Sequence, residues 1–331
     1  MEGPGKGLPV VITVSYHDTA SKLQGLGHDR SGPFDGHEWF ELLEQHGWQP
    51  VIALAEDALA LPLTRGPKGL ESLTNWFSFT WAPVGEAGEE ATGLLRALAA
   101  DLKGRTARVD MSPLAGEAQW LDLLDEAFRT SGWLVFREKC DDNHILRVNG
   151  RSFDQYWASR PGQMRSTLQR KSRKVKTKIS TQFDALEWKT YRSIYEKSWK
   201  PTEERADLLE AFARSESEKG HYRLGIACAD DEPVAAQFWT VENGTACIHK
   251  LAHLKEAENL SAGTVLTAAM FEYAIDTDKV AIVDFGTGAD PYKLDWMEAC
   301  RPRYRLTCLD PRQVAAWPAI TKRLLGRLAR D

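Results

Sequence analysis

The chain is poor in the features that mark secreted, metal-held or membrane-spanning proteins. Its five cysteines (Cys140, Cys228, Cys247, Cys300 and Cys308) are odd in number and form no C-x-x-C pair. That pattern argues against a disulfide framework and a structural zinc site, so no metal is expected. Such cysteines read as reduced thiols in a cytoplasmic protein. No apolar run approaches the ~18 residues of a membrane-spanning helix. The first residues, M-E-G-P-G-K-G-L-P, lack the charged and apolar regions of a signal peptide. The net charge of −5 argues against general nucleic-acid binding and leaves local patches open. Glycine is also short where it would matter most. The segment G-T-G-A-D-P, residues 286–291, lacks the third glycine of a dinucleotide fingerprint, and that reading is rejected.

What is present describes an ordinary soluble protein. The 331 residues are 43% apolar and 27% charged, which fits two globular domains. The twelve tryptophans read mainly as core. The spacing predicts strands at residues 10–16, 73–81 and 106–111, and helices at 36–46, 89–102 and 117–131. Hairpins are expected around Glu56-Asp57 and around Asp141-Asp142-Asn143. In the second half, helices are expected at 191–199 and 206–219, and a hairpin around Asp230-Asp231-Glu232. A strand at 245–254, a helix at 261–277, a strand at 280–284, a helix at 292–300 and a last strand at 303–309 follow. The same order of elements thus occurs twice. An offset of 174 residues carries Asp57 onto Asp231 and Asp110 onto Asp284.

Between the halves, eight lysines and arginines fall from Arg160 to Lys178, with no acid between Asp154 and Asp184. Met164, Leu168, Lys171, Val175 and Ile179 share one helical face, so a basic amphipathic helix is expected. It serves either a phosphate-rich partner or a docked linker. Residues 280–293, V-A-I-V-D-F-G-T-G-A-D-P-Y-K, end a buried strand in two glycines and open a helix at Asp290-Pro291. Ligands tend to sit at such strand ends.

Several segments together carry a resemblance: Y-W-A-S-R-P-G-Q-M-R-S-T-L-Q-R-K (156–171), S-W-K (198–200), H-K-L-A-H (249–253), L-S-A-G-T-V-L-T (260–267) and D-F-G-T-G-A-D-P-Y-K-L-D-W (284–296). The chain resembles the GNAT-superfamily acyltransferases of the CelD-like group, relatives of the Fem peptidyltransferases. The resemblance covers residues 150–310 and extends more weakly over 8–148. It implies an α/β protein of two tandem GNAT-like domains, each a mixed splayed sheet flanked by helices. The expected division is a degenerate first domain at 8–148, a basic linker helix at 149–185, an acyltransferase domain at 186–311 and an amphipathic helix at 312–331.

The resemblance implies acyl transfer from acyl-CoA (acetyl-CoA or longer) to an amine or hydroxyl. The cofactor phosphates would meet Leu260, Ser261, Ala262, Gly263, Thr264 and Val265, at a helix start whose N–H groups carry partial positive charge. Amide formation needs a base, a polarised carbonyl and an acid for the leaving thiolate. Strand alternation puts Cys247, His249, Leu251 and His253 on one face, so His249 and His253 are base candidates. Tyr292 stands where many GNAT enzymes place the tyrosine that protonates the thiolate. Asp290 caps the helix or binds the acceptor amine, and Lys293 pairs with a carboxylate or phosphate. Trp199 and Lys200 line the acceptor side, and Asp284 binds substrate or holds the turn. The first domain's turn at 83–89 is acidic, so it is expected to bind no CoA and to act as scaffold or acceptor wall through Trp76, Phe77 and Trp81.

The leading expectation is an acyltransferase acting on a small molecule or a cell-envelope or polysaccharide precursor. One alternative is an aminoacyl-tRNA-dependent transferase of the Fem kind, with tRNA on the 160–178 segment. Another is a binding or scaffold protein that kept the fold alone. Residues 313–330 alternate apolar and basic side chains and either pack on the second domain or touch an anionic membrane surface peripherally.

Overall fold

A computed structural model describes residues 12–27, 32–288 and 290–328. Part of the strand expected at 10–16 therefore lies outside the described residues. The first half runs β1 (Val14–His17), α1 (His37–Gln45), β2 (Pro50–Ala55), β3 (Leu59–Gly66), β4 (Gly69–Ser72), α2 (Glu89–Leu102), β5 (Arg108–Ala115), α3 (Gln119–Thr130) and β6 (Leu134–Arg147). The second half runs α4 (Phe153–Ala158), α5 (Gly162–Lys171), β7 (Lys176–Ser180), α6 (Ala185–Lys197), α7 (Ala206–Glu218), β8 (Tyr222–Ala229), β9 (Glu232–Glu242) and β10 (Thr245–His253). It continues with α8 (Ala262–Glu272), β11 (Ile282–Thr287), α9 (Lys293–Trp296), β12 (Ala299–Leu309) and α10 (Trp317–Leu328).

The two halves repeat one plan. β1 to β4 pair antiparallel and β4 runs parallel to β5. β7 to β10 pair antiparallel and β10 runs parallel to β11. The hairpin turns match as well. Glu56 and Asp57 have φ of 50° and 49°, Asp230 and Asp231 have 50° and 64°. Positive φ at both central residues suits the right-handed twist of a tight hairpin, and aspartate tolerates it. The sheets are mixed and carry helices on both faces, the tandem GNAT-like arrangement.

The halves do not close separately. The strand order is β1-β2-β3-β4-β5-β12-β6-β11-β10-β9-β8-β7. The last strand of the chain thus lies against β5 of the first half, and β6 of the first half lies against β11 of the second. The exchanged strands pair with each other from Leu134↔Leu309 to Ile145↔Ala299. A single aromatic core also crosses the seam: Phe34 of the first half stacks on Phe212 of α7, with ring centroids 6.0 Å apart.

Four expectations change. Leu134–Arg147 forms one long strand rather than a hairpin about Asp141-Asp142-Asn143. Asn143 is wholly buried and donates from Nδ2 to both oxygens of Asp284, at 3.1 and 3.0 Å. A polar partner on β11 takes up the side chain that would otherwise favour a turn. Residues 73–81 are not a strand, because Asn75 Oδ1 accepts from the Phe77 N–H at 2.9 Å and bends the chain. The expected linker helix is two helices and a strand. Pro161 opens α5, the chain leaves helix after Lys174, and residues 176–180 pair with β8. Val175 and Ile179 still reach the same core as Met164 and Leu168, but from the residue before β7 and from β7 itself. The C-terminal helix rests not on the second half but across the exchanged strands, with Ala316, Ala319 and Ile320 against Phe136, Leu309 and Ala107.

Candidate active site

β10 and β11 are parallel neighbours only over Thr245–Cys247 and Ile282–Asp284. Past that point they part. On the other edge of β10, Ile248 pairs with Trp239 and Lys250 with Phe238, so His249 is an extra, bulged residue. The bulge reverses the alternation that follows. His249 packs among Phe34, Phe79, Phe212 and Phe238 on one side of the sheet, at centroid distances of 5.2 to 5.6 Å. His253 emerges on the other side, where its ring lies 4.2 Å from that of Trp199. The shared face expected for the two histidines is therefore split, and Lys250 turns toward the side occupied by His249.

The parted strands open a cavity of about 200 Å³. Five of the expected residues line it: His249, Lys200, Asp290, Tyr292 and Lys293. So do Lys250, Phe285, Gly286 and Thr287 of the second half, and Trp76 and Phe79 of the first. Tyr292 caps the start of α9, and its ring meets Phe285 edge-on at 5.6 Å. Burial, aided by Asp290, pushes its phenol up to about 12, so it holds its proton throughout the neutral range. Burial lowers the His249 imidazole to about 3, with Lys250 adding to the effect, so this ring stays neutral. Its Nε2 lies 2.7 Å from Thr240 Oγ1.

Lys293 is buried and donates from Nζ to the Thr287 carbonyl, with Asp290 Oδ2 at 3.8 Å. Lys200 lies 5.4 Å above the Trp199 ring. Burial lowers the ammonium pKa of both lysines, and Asp290 opposes the shift in each. Lys250 is ion-paired to Glu203 and sits 4.5 Å over the Phe77 ring.

None of the expected phosphate-binding residues, 260–265, lines the cavity; the segment meets β10 at His253, two residues beyond the lining Leu251. A 3₁₀ turn, Lys255–Leu260, leads from β10 to α8. Ser261 takes a left-handed conformation (φ 52°) as the α8 N-cap, and its side chain makes no capping bond. A Cβ at Gly263 would stand 3.1 Å from His253 Nδ1, so any larger residue there must shift the His253 ring by a few tenths of an ångström. The first N–H groups of α8 are thus free of side-chain caps, as an anion-binding helix start requires. The matching helix of the first half, α2, opens instead with Glu89 and Glu90, which repel an anion.

Asp284 does not line the cavity. Its carboxylate takes Arg301 Nη2 at 2.7 Å, the Gly286 N–H at 2.8 Å and both bonds from Asn143, and it holds the seam. Of the three aromatic wall residues expected from the first half, Trp76 lines the cavity. Phe77 backs Lys250, and Trp81 is buried with Nε1 donating to the Pro62 carbonyl. Phe79, Lys250 and Glu203 were not foreseen. Lys250 stands between the two histidines of H-K-L-A-H, but strict alternation assigns it to the opposite face. A larger groove of about 810 Å³ runs under α10 and contains none of the candidate residues.

The described residues contain no helix long and apolar enough to cross a membrane. Residues 162–294 match the family model for the acetyltransferase (GNAT) domain. No curated protein matches the chain. Among solved structures the chain is similar to FemX, with a TM-score of 0.61 and 10% identity over 87% of this chain and 94% of that one. It is similar to the C-terminal domain of a putative lysylphosphatidylglycerol synthetase from Agrobacterium fabrum, with a TM-score of 0.56 and 12% identity over 86% and 91%. L-PGS from Bacillus licheniformis gives 0.54 and 13% over 91% and 99%.

Proposed function

From a chain that carries the tandem GNAT fold, with a GNAT acetyltransferase domain at residues 162–294, we propose acyl transfer from acyl-CoA to the amine of a small or envelope-precursor acceptor. The observation that carries this reading is the gap between β10 and β11. β10 leads on from this gap to a helix start without a side-chain cap, and Tyr292, whose phenol is pushed up by burial, lines the cavity. The residues present fit the donor: the α8 N-terminus, residues 260–265, would hold its phosphates, and bound acyl-CoA would supply the activated thioester. Tyr292 keeps the proton that the departing thiolate needs. Asp290, the one carboxylate among the residues lining the cavity, holds the acceptor ammonium at the rim. Trp199 and Lys200 border the acceptor path. His249 is sealed by rings and by Thr240, which suits a wall rather than a base. His253, half-buried beside α8, keeps the base role open.

The test is calorimetric titration with acetyl-CoA and longer acyl-CoAs, followed by thiol release with an amine panel. Binding in the micromolar range is expected, and no binding to any acyl-CoA would sink the reading. Tyr292→Phe should lower kcat by ~10²–10⁴, the usual contribution of a positioned acid, with KM little changed.

One observation favours a second reading, aminoacyl-tRNA-dependent transfer of the Fem kind. Arg165, Arg170, Lys171, Arg173 and Lys174 form a basic run on and after α5 with no carboxylate ion pair among the described residues. Retained binding of charged tRNA by a protein that ignores acyl-CoA would select it.

A further inference from the structure

The cavity has an uneven distribution of charge. Lys250 is matched by Glu203, whose side chain is 10% exposed. Lys293 is buried, with its Nζ on a carbonyl and the nearest carboxylate oxygen 3.8 Å away on Asp290. Among the described residues no carboxylate lies within ion-pair distance of Lys200. Asp290 itself is 58% exposed at the rim. Two further carboxylates act on Lys293 and both are engaged elsewhere: Asp141 by the N–H groups of Gly288 and Asp142, at 3.2 and 2.7 Å, and Asp284 by Arg301, the Gly286 N–H and Asn143. Lys200 and Lys293 thus share a small space whose one lining carboxylate, Asp290, pairs with Lys293 alone and is more than half exposed. Partly buried cations of this kind are costly unless an anion completes them.

The space is also narrow. At about 200 Å³ it falls below the ~300–1,000 Å³ of a typical small-molecule site. Trp76 and Phe79 reach in from the first half and close one side. Only a short head group enters, with any remaining part of the acceptor outside.

We propose that the acceptor's head group is zwitterionic: an amine that meets Asp290 and, three or four bonds away, a carboxylate or phosphate that meets Lys200 and Lys293. This rests on the acyl-transfer reading for the fate of the amine, but not for the binding of the anion. The subsite sets acceptor choice, since an amine lacking the anion leaves Lys200 without a carboxylate and Lys293 sharing Asp290 with the amine.

The experiment pairs short amines that differ only in the anion. 3-Aminopropanoate is set against 3-aminopropanamide, and 2-aminoethyl phosphate against ethanolamine. With acetyl-CoA as donor, thiol release should favour the anionic member by tenfold or more in kcat/KM. The two pairs separate a carboxylate from a phosphate preference. Lys200→Gln and Lys293→Gln should each bring the ratio close to one. Lys200 is the partly exposed of the two, so its variant folds even if Lys293→Gln does not. In parallel, the thermal midpoint of the full-length protein is read at rising concentrations of all four probes without donor. The anionic members should raise it saturably, and Lys200→Gln should abolish the rise. A chain that releases no thiol with any amine but keeps this binding preference loses the acyl-CoA reading and keeps the subsite. Equal binding of anionic and neutral members, or a preference that survives Lys200→Gln, overturns the subsite.

Discussion

His249 is enclosed by Phe34, Phe79, Phe212 and Phe238, and burial lowers its imidazole to about 3, far below its unfolded value near 6.5. Between those two values the unfolded chain binds a proton that the folded chain refuses. Stability contributed by the neutral ring is therefore complete above the unfolded pKa and falls as pH drops toward 3. The slope is at most about 1.4 kcal/mol per pH unit for this one group. Urea unfolding at pH 7.5, 6 and 5 should show His249→Gln losing less stability on acidification than the unsubstituted protein. Parallel losses would show that the ring is not the titrating group. His253, four positions on, packs against Trp199 and the glycine at the α8 start. The motif H-K-L-A-H shows that histidines are present, but it does not show the bulge between them. A bulge depends on the partner strand, here β9, and strict alternation therefore placed both rings on one face and overlooked Lys250.

At the scale of elements, the end of β11 lines the cavity with Phe285, Gly286 and Thr287. Gly286 has a φ of +71°, and a Cβ there would lie 2.8 Å from the Phe79 ring. An alanine is strained in that conformation and must also push aside a wall residue held by the first half. Gly286→Ala should cost ~1–3 kcal/mol in denaturant unfolding and should lower turnover more than stability alone explains, because Phe79 moves. Unchanged activity and stability would show that the loop relaxes freely. The sequence already marks this turn by its two glycines. The Asp-rich hairpins at Glu56-Asp57 and Asp230-Asp231 and the bounds of α2 are equally legible, since turn chemistry and periodicity are local. Residues 134–148 and 160–178 were misread for the opposite reason. Asn143 is held by Asp284, 141 positions away, and residues 176–180 become strand because β8 offers an edge.

The whole molecule is joined by an exchange that local patterning does not encode. β12 completes the first half and β6 the second. The repeat at offset 174 was visible as two copies of one plan, but an order of elements does not say whose sheet a final strand joins. The cavity shares this origin, since Trp76 and Phe79 come from the first half and the rest of its lining from the second. The exchange predicts one cooperative unit rather than two domains. Tryptophan fluorescence and far-ultraviolet circular dichroism should give a single coincident unfolding transition in the full chain. The seam is held by Arg301, which bonds Asp284 at 2.7 Å and Glu117 at 2.9 Å. Arg301→Ala leaves the Asp284 carboxylate, 6% exposed, with only neutral donors. Breaking a buried pair from one side costs ~3–5 kcal/mol, and that loss should shift the whole transition while keeping it single. Two separated transitions in either protein would mean that each half closes its own core, and the exchanged strands would then be an addition to two finished domains rather than the means of completing both.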